Sequence, residues 1–478
     1  MINDFFLQGD ETMKKQWAIL LLVLPMTFMI TLDSSIVNVA LPTMARELGT
    51  TMAGIEWVVT SYLITICAFI LLFGRFGDII GKSRVFRIGI AVFTIGSLLC
   101  GLSNTLIILI ISRIVQAIGA AAAMATNQGI ITETFPPSER GRALGLTGTA
   151  VALGTMVGPT LGGLIVSVAP WKYIFLINIP IGIIVYIAVL KILSFSKKKE
   201  KISFDIKGNI LFMTSIILLF CSINFSQSLG ITNPIIIGAF VLSLLLLFLF
   251  IKIEDKIHNP MLDLYIFKNK LFSLSIFCGF TSFVSVGAIN IILPFYLQDV
   301  LKLSPGLAGL MMTVSPIILS IVAPVSGYLS DKIGSEKISA LGLSIMSLGL
   351  FSLILFKENT QLFVVAFIIG LVSLGNAMFQ SPNNSLIMST VDKSKLGIAG
   401  SINGLIRNLG ITIGIGLSTS ILYSIMSNKI GYKVSGYVEG RAEVFIYAMR
   451  FVFISIAAIC LIGAILSLLR VIRKKDIS

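Results

Sequence analysis

Residues 17–42 read W-A-I-L-L-L-V-L-P-M-T-F-M-I-T-L-D-S-S-I-V-N-V-A-L-P. From Trp17 to Ala40 the run holds a single ionisable side chain, Asp33. A bilayer core is crossed by about 20 predominantly apolar residues in a helix, so this run reads as a spanning helix. Runs of the same kind recur along the chain, near 57–74, 85–101, 106–131, 143–168, 171–192, 207–226 and 234–251, then 271–296, 305–329, 337–356, 362–388, 397–424 and 444–470. The 478 residues are 56% hydrophobic and 12% charged, against roughly 25% charged in a soluble domain. The fold class is therefore an all-α polytopic membrane protein with fourteen spans. The first run lacks the short apolar core and small-residue cleavage site of a signal peptide, so it is expected to be retained.

Charge sets the expected orientation, because cytoplasmic loops carry the excess of Lys and Arg. With the amino terminus inside, Arg46, Lys172, Lys302, Lys357, Lys429, Lys433 and Arg441 fall in outer loops, and Arg113, Arg407 and Arg450 fall within spans. The other basic residues lie in inner loops and tails. Both termini are thus expected in the cytoplasm of a cell-membrane protein. Topology and anionic inner-leaflet lipid account for the net charge of +14, so no nucleic-acid partner is needed. The run at 197–201, K-K-K-E-K, reads as a solvated linker. Cys67, Cys100, Cys221, Cys278 and Cys460 lie in apolar runs without C-x-x-C spacing, and the one histidine, His258, lies in a polar loop. Neither a metal site nor a Ser/His or metal-dependent enzyme is supported.

The chain repeats itself. Residues 37–42 (V-N-V-A-L-P) match 289–294 (I-N-I-I-L-P), and 74–81 (G-R-F-G-D-I-I-G) match 327–334 (G-Y-L-S-D-K-I-G), at offsets of 252 and 253. Two six-helix halves follow: 1–193 as an amino-terminal bundle, 194–270 as a basic linker with two inserted helices and a loop, and 271–478 as a carboxy-terminal bundle. Parallel repeats with a site between them near the midplane are a transporter architecture.

A charge at the bilayer centre costs about 2.5–3.5 kcal/mol on insertion scales, so one that persists faces a cavity and has a use. Asp33 lies roughly 24 Å along its helix and Arg113 about 10 Å into a span entered from the other side, at 1.5 Å per residue. The two depths are similar. A carboxylate whose arginine neighbour comes and goes changes its proton affinity, a route to proton coupling. Met26 and Met29 share the Asp33 face and suit an adaptable apolar pocket. Asn38, Gln116, Asn290, Asn376, Gln380 and Arg407 are further polar candidates for a substrate pathway. Gly154, Gly158 and Gly162, with Pro159, form a small-residue face that lets another helix approach. Gly74, Asp78, Gly81 and Arg84 belong to a tight inner turn, in which Asp78 and the basic residues can form ion pairs or sit at a neighbouring helix end. The loop at 425–443 reads either as an exit cover or as a plain connection.

These motifs together resemble the major facilitator superfamily, and within it the fourteen-helix drug:proton antiporters. The resemblance rests on Gly74–Arg84, on L-D-S-S-I-V-N-V-A-L-P at 32–42, on R-I-V-Q-A-I-G at 113–119, on Gly154-x-x-x-Gly158-Pro159-x-x-Gly162-Gly163, and on W-K-Y-I-F-L-I-N-I-P-I-G at 171–182. It implies proton-driven export by alternating access, with Asp33 and Arg113 in the proton-linked roles, Asp78 helping to close the cytoplasmic side, and the Gly/Pro seam marking an exporter. It also implies no cofactor, the proton motive force as energy source, and a monomer in membrane lipid. Ile79 and Ser83 depart from the loop motif's basic positions, Thr60 stands where some members carry a second acid, and the 397–424 span holds no acid. A neutral or monocationic amphipathic drug, one per proton, is the expected substrate. A lipid-like or other specific metabolite stays open, as does a nutrient symporter, although the E-x-x-E-R pattern of peptide symporters is absent.

Overall fold

Backbone polar groups in a hydrocarbon layer must be satisfied within the chain, so apolar runs of this length can settle only as helices. The computed structural model describes residues 2–136, 140–193, 205–229, 233–257, 264–391 and 396–475. The lysine run at 197–201 and His258 lie outside them. Among the described residues, fourteen helices are long and apolar enough to cross a membrane. They are α1 (Gln16–Glu47), α2 (Met52–Ile80), α3 (Lys82–Leu102), α4 (Leu106–Thr134), α5 (Leu146–Val168), α6 (Tyr173–Ile192), α7 (Ile206–Ser226), α8 (Pro234–Glu254), α9 (Lys270–Val300), α10 (Pro305–Ser330), α11 (Ser335–Leu355), α12 (Leu362–Ser389), α13 (Ile402–Ile430) and α14 (Ala442–Val471). An even number of crossings puts both chain ends at one end of the bundle; the opposite end is called the far end below.

Helix starts follow local chemistry. Thr51, Thr105, Asn233, Asn269 and Ser304 each accept a bond from a backbone N–H of the first turn, and Pro234 and Pro305 occupy first-turn positions, where a missing N–H costs nothing. Two helix ends lie beyond the sequence limits. α1 continues through Pro42 to Glu47, because membrane helices tolerate proline where neighbours re-satisfy the backbone, and α9 runs on through a π-helical turn at Tyr296–Val300.

The repeat is visible in backbone geometry. Gly81 and Gly334, 253 positions apart in the sequence, close the second helix of each repeat with φ of 101° and 105°, values that only glycine adopts without strain. α3 packs on α4 as α11 packs on α12. A side-chain carbon at Gly89 would stand 2.8 Å from the Ala123 nitrogen, and one at Gly342 would stand 2.6 Å from the Phe379 nitrogen. In the same crossings Gly119 would overlap the backbone of Phe93, and Gly375 that of Met346. Gly119→Val and Gly375→Val are therefore each expected to destabilise the protein by about 1–3 kcal/mol through overpacking, read as a lowered unfolding temperature in detergent. An unchanged temperature would mean that these crossings can open freely.

The inserted pair α7 and α8 pack on each other, and α7 also lies against α2 and α13. It thus covers one seam between the repeats. Most of α8 is uncovered, with Ile235, Val241, Leu245 and Phe248 exposed, as a lipid-facing helix requires.

Candidate functional site

Asp33 and Arg113 meet. Arg113 Nη1 donates to Asp33 Oδ2 at 2.5 Å and to Gln116 Oε1 at 2.7 Å, while Arg113 Nε donates to the Val58 carbonyl at 3.0 Å. Gln116 Nε2 donates to Asp33 Oδ1 at 2.7 Å and to Ser97 Oγ at 2.8 Å, and Asn178 Nδ2 donates to Asp33 Oδ1 at 2.9 Å. One carboxylate thus collects three donors from α4 and α6, with α3 and α2 supporting them. The Arg113 guanidinium lies 4.0 Å from the centre of the Tyr62 ring and 5.5 Å from that of Phe175, so its flat faces are covered by aromatic rings. Asp33, Arg113, Gln116 and Asn178 expose 0%, 1%, 0% and 0% of their surface. A charge so completely withdrawn from water is tolerable only with this degree of pairing.

Two polar atoms in the cluster are left over. Asn178 Oδ1 and Tyr62 Oη are buried without a hydrogen-bond partner. An amide offers a donor and an acceptor, so Asn178 can donate to the carboxylate or, turned over, accept from the carboxylic acid.

The Gly/Pro seam of α5 serves two neighbours. A side-chain carbon at Gly154 would overlap Thr31, one at Gly158 would overlap Ser35, and one at Gly162 would meet Ile36 O at 2.7 Å; Ser35 Oγ also donates to the Gly154 carbonyl at 3.0 Å. That face is fitted to α1, next to Asp33. The Pro159 and Gly163 face is fitted to α10: a carbon at Gly309 would overlap Pro159 O, and one at Gly163 would meet Pro305 O at 2.6 Å. Thr160 and Thr313 hydroxyls bond across the same crossing. α5 thus links the carboxylate helix to the second half.

Several further contacts between halves lie toward the far end. Gln298 Nε2 donates to the Val39 carbonyl at 2.8 Å, Arg46 pairs with Asp299 at 3.4 Å, and Thr419 Oγ1 donates to Glu56 Oε1 at 2.9 Å. The loop after α13 reaches over as well, with Ala53 N donating to Ser435 O at 3.0 Å. In this state the halves are closed against each other there. Gly309→Leu cannot keep that closure. Transport is expected to fall about tenfold or more, as for an interface forced apart by overpacking, and Thr160→Cys in the same background is expected to become reactive to an impermeant thiol reagent. Unaltered transport and reactivity would show that the close approach is dispensable.

The remaining candidates scatter. Met26 and Met29 are 1% and 0% exposed and belong to the core packing. Asn38 is nearly buried, and Asn376 accepts from Ser282 Oγ at 3.1 Å. Asn290, Gln380 and Arg407 are partly exposed. In the 74–84 loop, Gly81 takes its left-handed backbone and Gly74 has open space where a side chain would stand. Asp78 pairs with Lys82 at 3.5 Å, and Lys82 also binds Glu133 of α4 at 2.6 Å; Arg84 is exposed. Asn178, Ser97 and Tyr62 are cluster members outside the sequence candidates. Asn178 had a signal, its place in the 171–182 motif, whereas Ser97 and Tyr62 look like any polar residue in an apolar run.

The profile of the Major Facilitator Superfamily matches residues 23–253 and 275–477. The riboflavin transporter RibZ of Clostridioides difficile (strain 630) is 37% identical over 97% of this chain and 99% of its own length. The multidrug resistance protein Stp of Mycobacterium tuberculosis (strain ATCC 25618 / H37Rv) is 33% identical over 84% of this chain and 74% of its own. Among solved structures, a bacterial homolog of the human lysosomal transporter Spinster, inward-facing and occupied, superposes with a TM-score of 0.65 at 16% identity, covering 94% of this chain and 96% of that one; at that identity the likeness concerns the fold. With fourteen helices long and apolar enough to cross a membrane among the described residues and a matching profile along nearly its whole length, the chain belongs to the Major Facilitator Superfamily: it is a multi-pass membrane transporter and not an enzyme.

Proposed function

We propose that the chain is a proton-coupled antiporter that exports a small amphipathic compound across the cytoplasmic membrane by alternating access. The observation that carries this reading is the sealed cluster of Asp33 with Arg113, Gln116 and Asn178. With Asp33 ionised, charge-assisted bonds tie α1 to α4 and α6; such bonds are roughly twice as strong as neutral ones. A proton on Asp33 weakens all three at once and frees α1 to move. Because α1 also packs on the α5 seam and bonds to α9 through Val39, its movement is felt where the halves meet. Proton occupancy then biases which end of the transporter is open.

The test uses inside-out vesicles. Acidifying the lumen is expected to drive substrate inward, and a protonophore to abolish that accumulation. Accumulation that follows the proton gradient in the same direction would mean symport, and accumulation insensitive to the protonophore would mean no coupling.

For the substrate, a flavin is a second reading. It is favoured by the match to the riboflavin transporter, which extends over almost the full length of both chains. The sequence expectation of a monocation counted Asp33 as an available acid, and the structure closes that carboxylate onto Arg113.

A further inference from the structure

Eight arginines lie within the spanning helices, and most have a partner. Arg113 pairs with Asp33, Arg46 with Asp299, and Arg470 donates to Ser275, Ser339 and Ser467, while Arg450 lines a far-end cleft beside Glu358 and Glu443 with its Nε buried and unbonded. Arg407 on α13 has no hydrogen bond, ion pair or ring contact with any described residue. It is nonetheless only partly exposed. The helix that carries it runs from Leu396, which puts Arg407 roughly 16 Å from that end at 1.5 Å per residue.

Its surroundings leave room. Gly400, Gly404 and Arg407 share one face of the helix, being three to four residues apart. Gly400 lies against the Gln128 amide of α4, in the opposite half, whereas nothing stands within 4 Å of where a side chain would grow from Gly404. The face that carries the guanidinium thus looks toward the other half, and the position one turn below it has been emptied of side-chain bulk. Gln380 on α12 lies nine residues before the helix end at Ser389, roughly 14 Å from the same end, and it too is partly exposed without a partner among the described residues.

An arginine fork presents parallel donors that match two oxygen acceptors in one plane, and its flat face stacks on rings. We propose that Arg407 is the substrate-recognition residue, and that the substrate class is a flat amphipathic compound bearing a carboxylate or a pair of ring carbonyls, held by the guanidinium beside the space over Gly404. Cationic compounds are rejected, since Arg407 brings a positive charge with no carboxylate paired to it among the described residues. This deepens the reading of the chain as a transporter of small amphipathic compounds, and does not depend on the direction of transport or on proton coupling.

The test is equilibrium binding to the purified full-length protein in detergent, followed by fluorescence, with no proton gradient present. Riboflavin supplies neutral paired carbonyls, fluorescein a carboxylate, and rhodamine 6G a cation on a similar ring system. The native protein is expected to bind riboflavin or fluorescein at least about tenfold more tightly than rhodamine 6G, the discrimination of one good charge-assisted contact. Arg407→Gln is expected to erase that preference without lowering the unfolding temperature, since it removes an unpaired charge, and Arg407→Lys to keep part of it. Whether riboflavin or fluorescein responds more strongly separates the carbonyl pair from the carboxylate. A native preference for the cation, no binding of either acceptor-bearing probe, or an unchanged preference in Arg407→Gln would each overturn the proposal. Failure of proton coupling would leave these binding results untouched.

Discussion

Asp33→Asn is expected to fold and reach the membrane yet lose uphill transport. In an exchange of one proton for one neutral molecule, each unit of pH gradient supports about tenfold accumulation, because one unit corresponds to 1.36 kcal/mol. The variant should accumulate nothing above equilibrium at any gradient. The physical reason is that asparagine keeps the size of the side chain and one acceptor oxygen but cannot take up a proton: the three donors that converge on Asp33 lose their switch, and whatever falls on the oxygen replaced by NH2 loses its acceptor. Facilitated, gradient-independent movement of substrate can survive. Comparing accumulation in native and variant proteoliposomes over two or three imposed gradients checks this, and a variant that still follows the gradient would move the coupling site elsewhere.

Arg113→Leu is expected to be the more damaging change to the fold. It leaves the Asp33 carboxylate buried without its cation, which costs about 3–5 kcal/mol when one partner of a buried pair is removed. The Val58 carbonyl and the Tyr62 ring also lose their contacts with the guanidinium, at 3.0 and 4.0 Å. The double variant Asp33→Asn, Arg113→Leu is expected to recover part of that loss, because no charge is then stranded. A coupling of about 0.5–3 kcal/mol in the double-mutant cycle would fit residues in direct contact. Equal and additive losses, measured by unfolding in detergent, would mean that the pair contributes nothing as a pair. Arg113→Lys does not substitute: a lysine cannot reach Asp33, Gln116 and the Val58 carbonyl together from one planar group.

Much of the fold was legible before any coordinates, and the reasons are specific. Apolar length alone marks fourteen helices, because hydrocarbon admits little else as a spanning element. The repeat at offsets of 252 and 253 predicts equivalent turns, and Gly81 and Gly334 have nearly the same backbone angles. α1 runs past its expected end at Ala40 because neighbouring helices tolerate Pro42, and α9 runs past Tyr296 by a π-helical turn that apolar length does not mark.

The site was legible in part. Depth along two helices pairs Asp33 with Arg113, since rise per residue is fixed. Rotation about a helix axis is another matter. Met26 and Met29 share the Asp33 face by spacing, but whether that face meets a cavity or a packed neighbour depends on helices far away in sequence, and here it is packed. The same limit hides the two-sided use of the α5 seam, where Gly158 and Pro159 differ by one position and serve different partners. It also hides the contrast between Arg113, enclosed by partners, and Arg407, which has none among the described residues.

The most direct measurement is proton release on substrate binding by the purified protein in weakly buffered solution, read with a pH dye and repeated for Asp33→Asn. If Asp33 couples the two ligands, binding must displace protons, and by reciprocity protons must weaken binding. The native protein should release up to about one proton per molecule bound, and the variant none. The same release from both proteins would contradict the assignment of coupling to Asp33.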